Sequence, residues 1–281
     1  MKPNALWETI GCSVVGASHK KRGTENQDSI HFGVSPAFVA VSDGHGAKKY
    51  IRSAIGSRLA VESIKKTLYE NLPLNTSMKD INNAIRHIKS RFLFNWQRQV
   101  DENLQILPFT QTEMDFLQLN CNQKDNKDLE ENPRIAFGCT FLCAIAYSDL
   151  ILILYHGDGD VIGLYNDKAT DLIRTDIRNF AGNTLSLGSL SDASEIGHTI
   201  LTDAEIPSLI MLCTDGIRNS YNDTVPHEIE QFYKIPVAIK NALLNDKNIL
   251  SDLENLLTKI TTNGSGDDVT LGAIYNSELL L

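Results

Sequence analysis

The sequence predicts an α+β fold, one layered domain over residues 1–281, with strands and helices in separate runs of the chain. Two patterns support this. Short β-rich apolar runs recur, each bounded by Gly, Pro, Asn or Asp, and longer stretches between them carry apolar residues at helical spacing. In order, strands are expected near Glu8–Ala17, Asp28–Val34 and Ala37–Ser42, the last two joined by a hairpin at Ser35–Pro36. Ile51, Ile55, Leu59, Ile64 and Leu68 then form a stripe on a helix from Lys48 to Asn71. A second helix opens at Ser77 and places Ile81, Ile85, Ile88 and Phe92 on one face. The polar, acidic stretch Asn120–Pro133 reads as a solvated loop or mobile insertion rather than a linker between domains. Further strands follow at Phe137–Tyr147, Leu150–His156, Val161–Tyr165 and Ser208–Cys213, with a hairpin turn at Ser148–Asp149. A third helix from Ala238 to Ile260, broken near Asn245–Lys247, precedes the last strand, Val269–Tyr275.

Composition narrows the function. With 42% hydrophobic and 22% charged residues, the 281-residue chain can bury a sizeable core. Its formal charge of −9 argues against general nucleic-acid binding, which relies on basic surface. No apolar run reaches the length of a membrane span, and the first eleven residues lack the apolar core of a secretion signal. The five cysteines are an odd number without CxxC spacing, which reads as free thiols of a cytoplasmic protein. Cys139 and Cys143 share a strand face roughly 13 Å apart, too far for a disulfide.

The chemistry collects at strand ends. An Asp stands beside a Gly after an apolar strand three times, in SDGHG (Ser42–Gly46), HGDGD (His156–Asp160) and TDG (Thr214–Gly216). GSGDDVT (Gly264–Thr270) precedes the final strand, and Asp28 opens the second. An antiparallel hairpin makes Asp28 and Asp43 neighbours, and an antiparallel pairing of the last two strands does the same for Asp215 and Asp267. Asp158 ends a strand that can reach the same edge. Carboxylates gathered there repel one another unless cations lie between them, and oxygen-only ligands suit Mg²⁺, Mn²⁺ or Ca²⁺ better than zinc. Taken singly, each Asp-Gly also makes an ordinary turn. His45 reads equally as a loop residue, and Lys48 and Lys49 as the solvated first turn of a helix.

In order, SHKKRGTENQDS, VAVSDGHG, FGCTFLCAIA, YHGDGDV, LCTDGI and GDDVTLGAIY resemble the type-2C metal-dependent protein serine/threonine phosphatases, from about Ser13 to Tyr275. The SH and NQD blocks, with FAGNT at Phe180–Thr184, resemble a bacterial side branch. The resemblance implies a four-layer α-β-β-α sandwich of two antiparallel sheets flanked by helix pairs. It also implies two Mn²⁺ or Mg²⁺ ions and a third, weaker one, with a water between the first two attacking a phosphoserine or phosphothreonine. In that alignment Asp43 bridges both ions, the Gly44 carbonyl binds one, and Asp215 and Asp267 bind the other. Asp28 holds metal-bound water, Asp158 attends the third ion, and His45 is the general acid. The stretch Asp167–Asp203 stands where the family has a flap, and reads equally as a surface connection.

Several positions depart from the family pattern. Gln27 replaces an acidic residue before Asp28, and Asn219 replaces a third-ion aspartate. Arg22 lies one residue further from Asn26 than the family's phosphate-binding arginine, leaving Lys20 and Lys21 as alternatives and an exposed basic turn as the plain reading. Besides a working phosphatase, with phosphoprotein substrates and a Ser/Thr kinase as its counterpart, two readings stay open. One is a pseudophosphatase that binds phosphoproteins or a kinase; the other is a hydrolase of small phosphate esters. No GxxxxGK[ST] loop supports nucleotide binding.

Overall fold

In a computed structural model, which describes residues 7–70, 78–147, 149–173, 185–245 and 248–281, every residue of the strand Ala37–Ser42 is buried. Alternation explains this. Phe38 and Ala40 face one apolar cluster, Val39 and Val41 another, so both faces of the strand are covered. The same holds for Leu209–Cys213, whose Met211 and Cys213 face helices while Ile210 and Leu212 face the other sheet.

The strands are β1 (Trp7–Val14), β2 (Ser29–Val34), β3 (Ala37–Ser42), β4 (Phe141–Ala146), β5 (Leu150–His156), β6 (Asp160–Tyr165), β7 (Lys168–Asp171), β8 (Gly197–Thr202), β9 (Leu209–Cys213) and β10 (Val269–Asn276). They form two five-stranded sheets, β1-β10-β9-β6-β7 and β2-β3-β4-β5-β8, antiparallel throughout. Val39, Val41, Leu142, Ile153, Ile210 and Leu212 fill the space between them.

The helices are α1 (Ala17–Arg22), α2 (Ser53–Glu70), α3 (Met78–Ile106), α4 (Gln111–Asn120), α5 (Gln123–Glu131), α6 (Asp215–Arg218), α7 (Pro226–Asn245) and α8 (Ile249–Asn263). α2 and α3 cover the outer face of the second sheet through Ile64, Phe92 and Trp96, and Trp96 Nε1 donates to the Gly56 carbonyl at 3.1 Å. Gly56 has no alternative, since a Cβ there would stand 1.9 Å from the Phe137 carbonyl oxygen. α7 and α8 cover the first sheet through Phe232, Ile239, Leu253 and Leu257. The four-layer sandwich expected from the sequence is therefore the architecture observed.

The expected loop at 120–133 is a correction. Most of it forms α5, whose Asn122 cap accepts from the Asp125 N–H, and Leu129 is buried. Preceding it, α4 starts with a reciprocal capping box between Thr110 and Glu113. Boundaries also shift. β1 stops at Val14 and α1 begins at Ala17; α2 begins at Ser53 rather than Lys48; β4 begins at Phe141, after a 3₁₀ turn over Pro133–Phe137. The third helix is two, α7 and α8, with Asp246 and Lys247 of the expected break outside the described residues. Ser77, Ser148 and Phe180–Thr184 also lie outside them, as does part of the stretch Asp167–Asp203. β7 and β8, which the apolar pattern does not mark, occupy one edge of each sheet.

Candidate active site

Strand register gathers the aspartates. β2 and β3 pair Ser29 with Ser42, so Asp28 and Asp43 are the next residues beyond the same end of the hairpin. β9 pairs with both β10 and β6, placing Leu271 and Asp160 opposite Cys213. Asp215 thus emerges two residues past that rung, with Asp158 and Asp267 on the segments leading into the neighbouring strands. Asp158, expected at a strand end, lies instead in the loop between β5, which stops at His156, and β6, which begins at Asp160.

Backbone contacts fix the first loop. The Asp43 N–H donates to Thr140 Oγ1 at 3.0 Å, and the Asp43 carbonyl accepts from the Thr140 N–H at 2.8 Å. The Gly44 N–H donates to the Gln27 carbonyl at 3.1 Å. Gly44 is wedged: a Cβ would lie 2.7 Å from that carbonyl oxygen and 2.9 Å from the Ser53 backbone. The His45 N–H donates to the Gly138 carbonyl at 3.1 Å, and its ring lies 4.8 Å from that of Tyr50.

Electrostatics is concentrated in the carboxylates. Asp28 is buried; its Oδ2 accepts from Thr214 Oγ1 at 2.8 Å, while its Oδ1 is buried without a hydrogen-bond partner. Burial, with Asp268 and Asp215 nearby, pushes Asp28 up to about 8 against the hydrogen bond from Thr214 and the nearby Thr270 hydroxyl. Asp43 is raised well above the usual carboxylate range by burial and by Asp28, Asp215 and Asp267. Asp215, which accepts from Asn219 Nδ2 at 2.9 Å, is raised by burial and by Asp158 and Asp267, with Asp43 and Asn219 acting against them. Buried carboxylates that raise one another in this way are relieved by a cation set among them. Burial pushes His45 down to about 4, with His156 and Lys49 acting in the same direction and Asp158 opposing them; its Nε2 is buried without a partner.

Asp267 is more exposed than its neighbours, and His19 Nε2 stands 3.6 Å from its Oδ1. Sequence reasoning missed the residue next to it. Asp268 is buried and accepts from the N–H groups of Gly16 (2.6 Å) and Gln27 (2.7 Å), with His19 Nδ1 at 2.9 Å. It ties α1, the segment before Asp28 and the segment before β10 together. The DD doublet was the available signal. Arg22, the exposed last residue of α1, lines a cleft of about 520 Å³ together with His19, Lys48, Phe116 and Asp267.

Lys48 and Lys49 are not a solvated helix turn. Lys48 Nζ donates to Asn120 Oδ1 at 3.0 Å, Lys49 Nζ pairs with Asp125 at 2.9 Å, and Arg52 pairs bidentately with Glu113 at 2.8 and 2.9 Å. The chain after DGHG therefore grips α4 and α5. On the far side of the aspartates, Arg218 reaches Asp160 at 3.2 Å, and burial raises Asp160 to about 7.

Among the described residues no three His, Cys, Asp or Glu side chains stand as a finished ligand set. The donors nevertheless fit a hard divalent cation. They are all oxygen, Asp28 Oδ1 is orphaned, and Asp43 is held well above the usual carboxylate range by burial and by its acidic neighbours.

Four layers with an acidic, oxygen-only strand edge are the architecture of the type-2C protein phosphatases. A family model described as protein phosphatase 2C matches residues 15–246, and the chain belongs to that family. Among solved structures, Stp1, a serine/threonine phosphatase from Staphylococcus aureus, is 14% identical with a TM-score of 0.62, covering 98% of this chain and 97% of its own. PppA, described as a key regulatory component of T6SS in Pseudomonas aeruginosa, is 15% identical with a TM-score of 0.60, covering 96% and 97%. The catalytic domain of the serine/threonine phosphatase PstP, in complex with 2 manganese ions, is 15% identical with a TM-score of 0.54, covering 96% and 97%. Comparison with curated protein sequences gave no match.

Proposed function

We propose that the chain is a working metal-dependent phosphatase of phosphoserine and phosphothreonine in proteins. The observation that carries this reading is the strand register that sets Asp28 beside Asp43 and leads β9 into Asp215, carboxyls that burial and their acidic neighbours all raise. Mn²⁺ or Mg²⁺ bound there supplies Lewis-acid activation of water and neutralises charge on the phosphoryl group. Asp43, the Gly44 carbonyl, Asp215 and Asp267 would hold two ions, Asp28 would accept hydrogen bonds from their hydration water, and Asp158 would serve a weaker third. Arg22, on the cleft beside Asp267, would bind the phosphoryl oxygens.

His45 stands neutral in the substrate-free site because burial disfavours its cation. A dianionic phosphoester beside it favours the protonated ring, from which Nε2 would deliver a proton to the departing serine or threonine oxygen. The partners we infer are phosphoproteins, with a Ser/Thr kinase as counterpart. The five free thiols support a cytoplasmic setting. No helix among the described residues is long and apolar enough to cross a membrane.

One observation favours a second reading, a regulatory pseudophosphatase. Two of the departures from the family pattern are neutral amides already hydrogen-bonded within the protein, Gln27 Nε2 donating to Ser53 Oγ at 2.8 Å and Asn219 Nδ2 to the proposed ligand Asp215. Hydrolysis of a phosphothreonine peptide and of an aryl phosphate, with Mn²⁺, Mg²⁺ or EDTA, separates the two. Metal-dependent turnover that disappears in EDTA and in Asp43→Ala supports the phosphatase. A folded protein inactive on both substrates leaves the regulatory reading.

A further inference from the structure

The cleft beside Asp267 has two unlike walls. One is polar and belongs to the candidate phosphate site, with Arg22 and His19 from α1. The other comes from outside the four layers. Phe116, on α4, lines the same cleft with 42% of its surface exposed, and Lys48 Nζ lies 5.9 Å from the centre of its ring. A large aromatic left half-exposed in a cleft offers apolar contact area that a ligand can cover.

This wall is held in place. Lys48, Lys49 and Arg52 follow directly on Asp43-Gly44-His45, and they grip Asn120, Asp125 and Glu113 at the two ends of α4 and in α5. Arg52 also donates to the carbonyls of Leu107 and Pro108, at 2.6 and 3.0 Å, and stands 4.8 Å from the Phe109 ring. Phe116 is thereby fixed relative to the aspartates by the loop that carries them.

Building on the phosphatase reading, we propose that Phe116 is a specificity-determining residue: it receives an apolar side chain flanking the phosphorylated serine or threonine of a peptide whose phosphate faces Arg22. The occupant follows from charge and shape. A dianion suits the basic end of the cleft, and the aromatic wall suits an aliphatic or aromatic neighbour.

The test is binding, so it does not depend on turnover. Fluorescent peptides carrying a non-hydrolysable phosphonate in place of phosphothreonine are compared by anisotropy, one with leucines flanking that position and one with serines. Wild type is expected to bind the leucine peptide about tenfold tighter, equivalent to about 1.4 kcal/mol. In Phe116→Ala the ratio falls to about one to two, and in Phe116→Leu part of it returns. Leu119→Ser, an exposed α4 change outside the cleft, keeps the wild-type ratio. A purely structural role for Phe116 would weaken both peptides equally and leave the ratio intact, which overturns the proposal. So does wild type binding neither peptide, or binding both alike. Selective binding without hydrolysis of any phosphoester would sink the phosphatase reading and leave this inference standing.

Discussion

Replacing Arg52 with Met should cost stability and loosen α4 in particular. Its guanidinium is buried, makes two bonds to Glu113, and donates to the Leu107 and Pro108 carbonyls. The Arg52 hydrogen bonds are the main reason Glu113 is lowered from 4.5 to about 2, assisted by Thr110. By linkage such a drop is worth ~3 kcal/mol at neutral pH. Glu113 is 26% exposed, and solvent screening brings that to about 1–2 kcal/mol. Two carbonyls deprived of a charged donor add roughly 1 kcal/mol each. Arg52→Met is therefore expected to lose about 3–4 kcal/mol in urea unfolding at pH 7, and Glu113→Gln about 1–2 kcal/mol.

The pH dependence has a definite sign. Glu113 is lowered in the folded state, so its contribution is complete above about 4.5 and is lost as pH falls toward about 2. The gap between wild type and Glu113→Gln should narrow between pH 5 and 3. Limited proteolysis should cut Arg52→Met first within residues 107–131. An Arg52→Met protein within about 0.5 kcal/mol of wild type, or a Glu113→Gln deficit unchanged at pH 3, would refute the account.

Three other outcomes are expected. Mn²⁺ at about one hundred times its Kd should stabilise wild type by ~2.7 kcal/mol in a thermal-shift assay, and Asp43→Ala should abolish that gain. Gly44→Ala should lose ~2 kcal/mol or more and weaken Mn²⁺ binding by calorimetry, because its Cβ would enter the Gln27 carbonyl and the Ser53 backbone. Asp268→Ala strands the Gly16 and Gln27 N–H groups and should cost about 2–4 kcal/mol in urea, whereas an unchanged midpoint would dismiss its organising role.

The core strands and their aspartate tips were legible because both signals are local. Apolar runs such as Phe38–Val41 end on an Asp-Gly, and the short turn at Ser35–Pro36 sets the register that joins Asp28 to Asp43. The residues that went unread depend on tertiary partners. β7 and β8 are edge strands with few buried residues, so no apolar run announces them. α5 is polar all round except Leu129 and owes its place to Lys49, which sequence periodicity cannot couple to Asp125. The Thr110–Glu113 capping box was a local signal for α4 that hydrophobic spacing alone overlooked. Asp268 escaped because its partners are Gly16, His19 and Gln27, and the Gly16 bond alone spans 252 positions.

The pairing of β1 with β10 has a consequence for how the molecule is made. On a ribosome β1 precedes its only hydrogen-bonded partner strand, β10, by almost every other strand of the two sheets. The Asp267–Asp268 segment arrives with that same late strand. Contacts this distant close slowly, after the large entropy of looping has been met. Until then Asp28 and Asp43 lack two of their acidic neighbours, so a nascent chain is spared the full repulsion of the finished cluster. Competence to bind a divalent ion should therefore appear with the final folding phase rather than before it.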